Sequence, residues 1–484
     1  MWISTVIIIS VFLAIVVLLM LDKVSRTLLA LCGAVICFFT LTFLEDQKYF
    51  LFVSFIFGTE QDGFANAHSL ILIFSMSLIV QVCHKAGLFQ FISLRLIVGT
   101  ANRPNMLLFV LCTITVIISS LINNILTIMV IIPLTITVSG IINIDPEPLI
   151  ITQAILVNMG GTFFTISSIP NILIVGASGI TFIEFFLNVG VISIILYLFT
   201  VGLFYLKYQH TLQIPKDNIA ILKELSPTIM ISNKSLLVKS SSILGLVLIL
   251  FFIIPSSILP LDIIALSGAL ILLIISWEDM DRIISEIDIS LLIYLMGIFI
   301  MVGSLEYTNI LEIIGGLIVR ISGGNILASI LLILWISGLL SANIDSIPIT
   351  KVLIPTISTI TNGYTEDYRK LANYALVMGA NWGDNFTPMG DNMLVMNIAK
   401  KYKHPVRFKE FFKIGPIAVL FQLCIVTIIY GFLLEWIFGL IALIVFLLGL
   451  SVFLILRLNP RILQKYKIRL DIRRKTKHGN ENSE

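Results

Sequence analysis

Stretches of about 20 consecutive apolar residues, joined by short connections, recur along nearly the whole chain. Each stretch is long enough to cross a bilayer as an α-helix, which needs about 20 such residues. Membrane spans are therefore predicted at 2–21, 27–44, 69–86, 149–179, 183–207, 237–258, 261–277, 289–306, 371–398, 411–434 and 436–456. The 484-residue chain is predicted to be an all-α polytopic protein of the cell membrane.

The composition excludes the soluble classes of protein. Hydrophobic residues make up 58% of the chain and charged residues only 12%, whereas soluble domains carry about 25% charged residues. This composition excludes a disordered protein and a nucleic-acid-binding protein. Its expected partners are the lipid bilayer and a small ion.

Four apolar segments are interrupted by polar residues. Segments 105–141 and 327–361 are split near their centres by Asn123-Asn124 and by Asn343 with Asp345-Ser346, and we predict a re-entrant helical hairpin in each. Segments 149–179 and 371–398 are interrupted by 160–171 and 383–392, and we predict a broken transmembrane helix in each. We call them the first and second hairpin and the first and second broken helix.

The two halves of the chain resemble each other. An offset of about 222 residues places Asn123 on Asp345 and Pro133 on Pro355, and one further residue places Asn158 on Asn381. Each copy is predicted to hold scaffold helices, a hairpin and a broken helix. The predicted divisions are a first repeat at 1–207, a cytoplasmic linker at 208–236, a second repeat at 237–435, an additional span at 436–457 and a basic cytoplasmic tail at 458–484.

The basic residues predict the orientation. With the linker and the tail in the cytoplasm, all but five of the 31 lysines and arginines lie inside, as the positive-inside rule requires. This topology puts the amino terminus outside and makes the two repeats run in opposite directions. Inverted repeats are typical of secondary transporters.

The interruptions themselves suggest a transport site. Irregular backbone persists in the hydrocarbon region only where protein, water or a ligand satisfies its polar groups. Freed carbonyls with Asn and Thr side chains suit a small hard cation, and the amino ends of the resumed half-helices suit an anion. The alternative is that Gly160, Gly161 and Gly383 merely permit close helix packing. Four paired interruptions favour the transport site.

Asp345 is the most informative single residue, because an acid at the tip of an apolar hairpin binds a cation, carries a proton or pairs with a base. Lys351 is a candidate base, but its aliphatic stem also allows it to extend toward the headgroups. Asp384 and Asp391 bracket the second interruption, where each either lines the cavity or caps a half-helix. We predict that Asp345 carries the proton or cation.

Motifs of other function classes are missing from the sequence. There is no Walker loop, no His-Glu-x-x-His and no Gly-x-Ser-x-Gly, so neither ATP-driven transport nor an enzyme is indicated. No cofactor is predicted beyond Na⁺ or H⁺ as the coupling ion. A passive channel, and an intramembrane enzyme using Asp384 and Asp391 as a carboxylate pair, are lower-ranked alternatives.

The four motifs together resemble the ion-transporter superfamily, whose branches include arsenite permeases, sodium/proton antiporters, citrate carriers and sodium/dicarboxylate symporters. The matching stretches are 119–127, 341–348, 158–171 and 383–392, and the resemblance extends from about residue 27 to 434. The permease and antiporter branch usually carries Asp-Asn at both hairpin tips. Here the first tip is Asn123-Asn124 and the second is Asp345-Ser346, so Asp345 favours that branch and the first tip has lost its acid.

The resemblance implies an ion-coupled secondary transporter, working by alternating access, that moves a small inorganic or organic anion or exchanges cations for protons. A sodium-coupled dicarboxylate or citrate carrier is the alternative. A homodimer formed through the scaffold and a sodium site with unassigned ligands are also implied. The expected substrate and ion-binding residues are Asn123, Asn124, Thr127, Gly160, Gly161, Thr162, Asn171, Asp345, Ser346, Asn381, Asp384, Asn385 and Thr387.

Overall fold

The computed structural model describes residues 2–21, 23–99, 106–208, 226–276 and 280–458. Over these residues the regular structure is helical and no β-strand occurs, which confirms the all-α fold class. Most of the predicted linker 208–236 and the basic tail 458–484 lie outside the described residues. The chain forms two compact units, Met1–Leu420 and Phe421–Glu484.

The helices follow the apolar stretches of the sequence. Before residue 209 they are Trp2–Leu21, Arg26–Glu45, Tyr49–Phe57, Ala65–Ala86, Leu88–Gly99, Leu107–Leu121, Asn124–Ile142, Glu147–Gly160, Ile169–Ser178, Phe182–Phe185, a π-helical turn at Phe186–Gly190, and Val191–Tyr208. After residue 225 they are Pro227–Met230, Lys234–Ile253, Leu261–Ser276, Met280–Ser285, Ile289–Tyr307, Ile310–Ile321, Ile326–Ser341, Ser346–Ile360, Glu366–Gly383, Asp384–Phe386, Asp391–Lys401, Phe408–Phe412, Gly415–Leu434 and Trp436–Leu458.

Several of these helices are long and apolar enough to cross a membrane. The described residues contain eight such segments, or nine if Ile310–Ile321 and Ile326–Ser341, which meet at a bend of 120°, form one span. The protein is therefore a polytopic membrane protein. The sequence did not predict the two short helices Leu88–Gly99 and Ile310–Ile321, each of which precedes a hairpin.

The predicted interruptions fall between helices. The arms of the first hairpin are Leu107–Leu121 and Asn124–Ile142, and those of the second are Ile326–Ser341 and Ser346–Ile360. The first broken helix consists of Glu147–Gly160 and Ile169–Ser178, and the second of Glu366–Gly383 and Asp391–Lys401. We call residues 161–168 the first break and residues 384–390 the second break.

The long outer helices of Met1–Leu420 pack reciprocally. Helix Arg26–Glu45 packs against Ile289–Tyr307, and Leu261–Ser276 packs against Ala65–Ala86. An offset of 235 residues places Arg26–Glu45 on the helix that begins at Leu261, and one of 222 places Ala65–Ala86 on Ile289–Tyr307, so the two helix pairs are equivalent. Side-chain contacts repeat the pattern, because Thr27 Oγ1 donates to the Ser290 carbonyl at 3.0 Å and His68 Nδ1 lies 2.9 Å from Asp262 Oδ2.

The hairpins and broken helices show the same exchange. Each first arm packs against the first segment of the broken helix in its own half, whereas each second arm packs against the resumed segment of the other half. Pro133 and Pro355 lie at matching positions inside the two second arms. Beneath these elements, Ile132, Ile155 and Val395 belong to one buried apolar cluster that joins residues of both halves.

Two ion pairs join each broken helix to the segment that follows the other one. Arg407 Nη2 lies 3.0 Å from Glu147 Oε2, and Lys370 Nζ lies 2.9 Å from Glu184 Oε1. An offset of 223 residues converts Glu147 into Lys370 and Glu184 into Arg407, so the two bridges are equivalent positions with opposite polarity. The hydrogen bonds from Arg407 to Glu147 raise the pKa of this loop arginine above its usual value.

The unit Phe421–Glu484 holds the end of Gly415–Leu434 and the helix Trp436–Leu458, which corresponds to the predicted additional span. Gly431 and Gly439 bring the start of the second helix close to the first, since a Cβ on Gly431 would lie 2.7 Å from the Gly439 Cα. The rings of Phe421 and Phe446 pack with their centroids 5.8 Å apart. These contacts form a helical hairpin.

Candidate functional site

Both hairpin tips and both breaks surround one cavity of about 440 Å³. This volume falls in the range of small-molecule binding pockets. The polar and charged residues that line it are Arg26, Thr27, Asn123, Asn124, Ser167, Ser168, Asp288, Ser290, Tyr294, Ser341, Asn343, Asp345, Ser346, Asn381, Asp384 and Asp391. A polar cavity among apolar helices is what a small polar solute requires to enter the protein.

The hairpin tips are formed by helix capping. The Asn123 side chain accepts a hydrogen bond from the Leu126 amide at 2.9 Å, and the Asp345 side chain accepts one from the Ile347 amide at 3.0 Å. Each cap starts the second arm of its hairpin and satisfies an amide that the helix leaves free. The same residues that end the apolar run therefore place a polar side chain at the cavity.

Four helix amino ends meet at this cavity. The second arms begin after Asn123 and at Ser346, and the resumed segments of the broken helices begin at Ile169 and Asp391. Residues at all four starts line the cavity. Each amino end contributes partial positive charge and amide donors, so the ends stabilise the nearby carboxylates and any anion that enters.

A chain of asparagine side chains joins the first hairpin to the second break. Asn124 Nδ2 donates to Asn158 Oδ1 at 2.8 Å, Asn158 Nδ2 donates to Asn385 Oδ1 at 2.8 Å, and Asn392 Nδ2 reaches the same oxygen at 3.4 Å. Asn124 Nδ2 also donates to Asp391 Oδ2 at 3.1 Å. These bonds hold both halves of the chain in one geometry around the cavity.

A second pair of asparagines joins the second broken helix to the first break. Asn381 Nδ2 donates to Asn171 Oδ1 at 2.9 Å, and Asn171 Nδ2 donates to the Gly161 carbonyl at 2.7 Å. Asn171 thus bridges the first break, and Asn381 of the second broken helix holds Asn171 in place. Nearby, Trp382 Nε1 donates to Thr162 Oγ1 at 3.2 Å.

Four aspartates, one of them the helix cap Asp288, and one arginine are the charged residues among the described residues that line the cavity. Asp345 Oδ2 lies 3.2 Å from Arg26 Nη1 and accepts from the Tyr294 hydroxyl at 3.3 Å. Asp384 and Asp391 line the same space. A buried carboxylate is stable only with a cation, a proton or hydrogen-bond donors, so this site has a capacity for positive charge.

The base that contacts Asp345 is Arg26, and Lys351 has other partners. Lys351 Nζ donates to Asn66 Oδ1 at 2.5 Å and lies 4.8 Å from the centroid of the Phe299 ring. The six-residue spacing made Lys351 the candidate base in the sequence. The second arm instead directs the Lys351 side chain toward Ala65–Ala86 and Ile289–Tyr307. There the Asn66 amide oxygen and the face of the Phe299 ring stabilise the ammonium group.

The structure brings all the predicted site residues to one region, in two layers. Those that line the cavity are Asn123, Asn124, Asp345, Ser346, Asn381 and Asp384. Those behind it are Thr127, Gly160, Gly161, Thr162, Asn171, Asn385 and Thr387. Two of the latter bind carbonyls of the tips, because Thr127 Oγ1 donates to Asn123 at 3.0 Å and Thr387 Oγ1 donates to Ala342.

The glycines act through close packing. Gly160, Gly161 and Gly383 keep negative φ angles, so none of them uses the backbone freedom that glycine allows. A Cβ on Gly160 would lie 2.7 Å from the Val116 carbonyl oxygen, and one on Gly383 would lie 2.7 Å from the Gly338 Cα. The packing alternative therefore accounts for these residues, and the Gly161 carbonyl is bound by Asn171.

The sequence did not single out Arg26 or Tyr294. Arg26 was counted only as a cytoplasmic basic residue, and Tyr294 stood in an unbroken apolar helix. A cationic residue at the very start of a helix is electrostatically unfavourable, and that was the available signal for Arg26. Asp391, which was expected to line the cavity or cap a half-helix, lines the cavity and is also the first residue of Asp391–Lys401.

Oxygen atoms around the cavity are suited to a light cation. The described residues contain no group of three His, Cys, Asp or Glu side chains in a metal-binding arrangement. Carboxylate, amide and hydroxyl oxygens are the ligands that hard cations prefer. Among the described residues that line the cavity, Ser168 has a buried Oγ without a hydrogen-bond partner, which is available to such an ion.

Sequence comparisons place this architecture among membrane transporters. The chain is 27% identical to a 46 kDa membrane protein of Mycobacterium leprae, over 85% of this chain and 94% of that protein. It is 26% identical to an uncharacterized transporter of Mycobacterium bovis, over 88% and 97%, and 24% identical to the P protein of Mus musculus, over 85% and 58%.

The match to a family covers most of the chain. The sequence matches the citrate transporter family, CitMHS, over residues 16–375 and again over 258–472. These ranges include both hairpins and both broken helices, which are the motifs that resemble the ion-transporter superfamily. The chain therefore belongs to the citrate transporter family CitMHS within the ion-transporter superfamily, and it is a multi-pass membrane transporter.

Proposed function

We propose that the protein is a secondary active transporter that couples the movement of a small anion to Na⁺ or H⁺, with a citrate-type carboxylate as the favoured substrate class. The observation that carries the proposal is the cavity where both hairpin tips and both breaks meet. Among the described residues that line it, four aspartates oppose the single base Arg26, namely Asp288, Asp345, Asp384 and Asp391. The matched family supports the carboxylate over the inorganic anions.

The charge balance is the physical reason for coupling. Because acidic residues outnumber basic ones among the described residues that line the cavity, it repels an anion that enters alone. Four helix amino ends attract an anion, but their partial charges also serve the aspartates. A cation or a proton that neutralises a carboxylate allows the anion to bind, and the two species then move together.

Exchange of a cation for a proton is the second candidate function. The same carboxylates favour it, because two cations that compete for one buried acid exchange without any anion. Asp345 is the proposed carrier in both cases, since it sits at a hairpin tip between the two halves. We assign Asn123 and Asn124 to one half-site and Ser346 with Asn381 to the other.

We also propose that the two halves are inverted repeats that rock around this cavity. The reciprocal helix packing and the reciprocal ion pairs support this, as does the overlap of the two family matches over 258–375. The proposed orientation keeps the amino terminus outside and the tail in the cytoplasm. In that orientation Arg26 and Asp288 lie at helix starts on the cytoplasmic side, so we propose that the cavity opens to the cytoplasm. The resemblance to the superfamily also leads us to propose a homodimer formed through the scaffold helices.

A flux experiment in proteoliposomes tests the proposal. Purified protein is reconstituted, and uptake of labelled citrate, succinate or arsenite is followed under imposed Na⁺ or H⁺ gradients. We expect one solute gradient to drive the cation uphill, which a passive channel cannot do. Absence of uphill movement for every pair of solute and cation would refute secondary transport.

The variant Asp345→Asn tests the role of Asp345 in coupling in the same flux experiment. Asparagine keeps the helix cap that starts the second arm, so the variant is expected to fold. Because it cannot take up a proton or present a charged oxygen to Na⁺, coupled transport should be lost. Full coupling in the folded variant would remove Asp345 from the mechanism.

A further inference from the structure

Arg26 occupies an electrostatically unfavourable position. It is the first residue of helix Arg26–Glu45, where the positive end of the helix dipole disfavours a cation, and the first turn contains no acidic residue. Its guanidinium contacts the carboxylate of Asp345 in the second hairpin, 319 residues away in the sequence. Among the described residues that line the cavity, Arg26 is the only basic one.

Arg26 and Asp345 are joined through a single oxygen of the aspartate. Asp345 Oδ1 is bound to the Ile347 amide, so only Oδ2 faces Arg26 Nη1, at 3.2 Å. A guanidinium group binds a free carboxylate best through two parallel hydrogen bonds. The Arg26 side chain is 39% exposed and that of Asp345 only 13%, so an incoming solute reaches the arginine first.

Loss of Arg26 would leave Asp345 with an uncompensated charge. Arg26 and the Tyr294 hydroxyl contact Asp345, and the other titratable residues among the described lining are Asp288, Asp384 and Asp391. Once a substrate carboxylate takes the guanidinium, Asp345 keeps only neutral donors in a cavity whose other titratable groups include three acids and no base. Binding of one cation at Asp345 removes this penalty.

We propose that Arg26 is the residue that recognises the substrate carboxylate, and that its exchange from Asp345 to the substrate obliges Asp345 to bind one cation. The inference rests on the proposed function and deepens it, because it names the substrate class and the step that couples the two species. If the cation is a proton, it adds to an oxygen of Asp345 from the cavity water and no other covalent bond changes. If it is Na⁺, the Asp345 oxygens coordinate it.

The experiment measures binding of labelled citrate and succinate to the purified full-length protein across pH and Na⁺ concentration. For the unmodified protein, affinity should rise either as the pH falls or as Na⁺ is added, which identifies the cation. Arg26→Gln should weaken binding by about tenfold or more, the effect of losing a charge-assisted hydrogen bond, and Arg26→Lys should weaken it less. Arg320→Gln, at an exposed arginine outside the cavity, should leave affinity unchanged.

The second readout is the cation dependence of substrate affinity in Asp345→Asn. This dependence would not change if Arg26 had only a structural role. With no carboxylate to neutralise at this position, this variant should bind the substrate with an affinity that no longer depends on Na⁺, or on pH above the range in which the substrate's own carboxyl groups titrate. Elution as a single species at the unmodified protein's volume shows that each variant is folded.

Two results would overturn the inference. One is equal substrate affinity in Arg26→Gln and Arg320→Gln, and the other is full cation dependence in Asp345→Asn. An unmodified protein that exchanges cations without binding any carboxylate overturns the inference and leaves secondary transport intact. Absence of all uphill flux refutes the proposed function itself, so the two failures are distinguishable.

Discussion

Substitution of Gly383 by alanine tests whether the contact between the second hairpin and the second broken helix holds the site. An added Cβ would meet the carbonyl oxygen of Gly338 and lie 2.7 Å from its Cα. Both are backbone atoms, so no rotamer change can relieve the clash. The two helices must separate by at least about 0.7 Å to restore an ordinary contact near 3.4 Å, and overpacking of this kind costs about 1–3 kcal/mol.

The displacement should reach the cavity as well as the fold. Gly383 directly precedes the second break, and Gly338 lies one turn before the hairpin tip. Opening this contact pulls Thr387 away from the Ala342 carbonyl and shifts the tip that carries Asp345. We therefore expect Gly383→Ala to lower the midpoint of thermal unfolding in detergent and to reduce uptake in proteoliposomes more than the stability loss alone predicts.

Gly316→Ala is the matched control. Gly316 is a helical residue of Ile310–Ile321, just before the second hairpin, and a Cβ there meets nothing within 4 Å. This variant should unfold and transport like the unmodified protein. Equal unfolding midpoints and equal uptake for Gly383→Ala and Gly316→Ala would refute the claim that close packing at Gly383 shapes the site.

Two further predictions concern contacts between the halves. Glu147→Arg should cause a several-fold drop in uptake, because it places a second positive charge beside Arg407. Adding Arg407→Glu should restore most of the uptake, and no recovery in the double variant would argue against the bridge. Asn381→Ala should lower the free energy of unfolding by about 1–3 kcal/mol, since Asn171 keeps a buried acceptor without its donor. Asn373→Ala, which loses only a bond within its own helix, is the control in the same unfolding assay and should cost less.

Local physics explains why the sequence was informative about the hairpins and breaks. A membrane-spanning apolar run, and the high cost of polar backbone in hydrocarbon, both depend on residues that are neighbours in the sequence. Asn123 and Asp345 are helix caps as well as polar interruptions, so the feature that marks them in the sequence also positions them in the structure. Elements of this kind are predictable from the chain alone.

Contacts between distant residues were not predictable in the same way. Arg26 and Asp345 are separated by 319 residues, and nothing near either one identifies the other. The role of Gly383 depends on a backbone atom of Gly338 in another helix, so the paired interruptions in the sequence favoured a backbone break at a transport site and gave no sign of this close packing. Lys351 lay near Asp345 in sequence, but the direction of its side chain is set by the helices that it packs against.

The polarity of the two ion pairs has a consequence for how such a chain assembles. At these four positions the amino-terminal half carries only acids, Glu147 and Glu184, and the carboxy-terminal half carries only bases, Lys370 and Arg407. Two copies of the same half would bring like charges together at both bridges, whereas unlike halves attract at both. Mutual recognition is thus heterotypic, and coexpressed separate halves should reassemble as mixed pairs and not as pairs of identical halves.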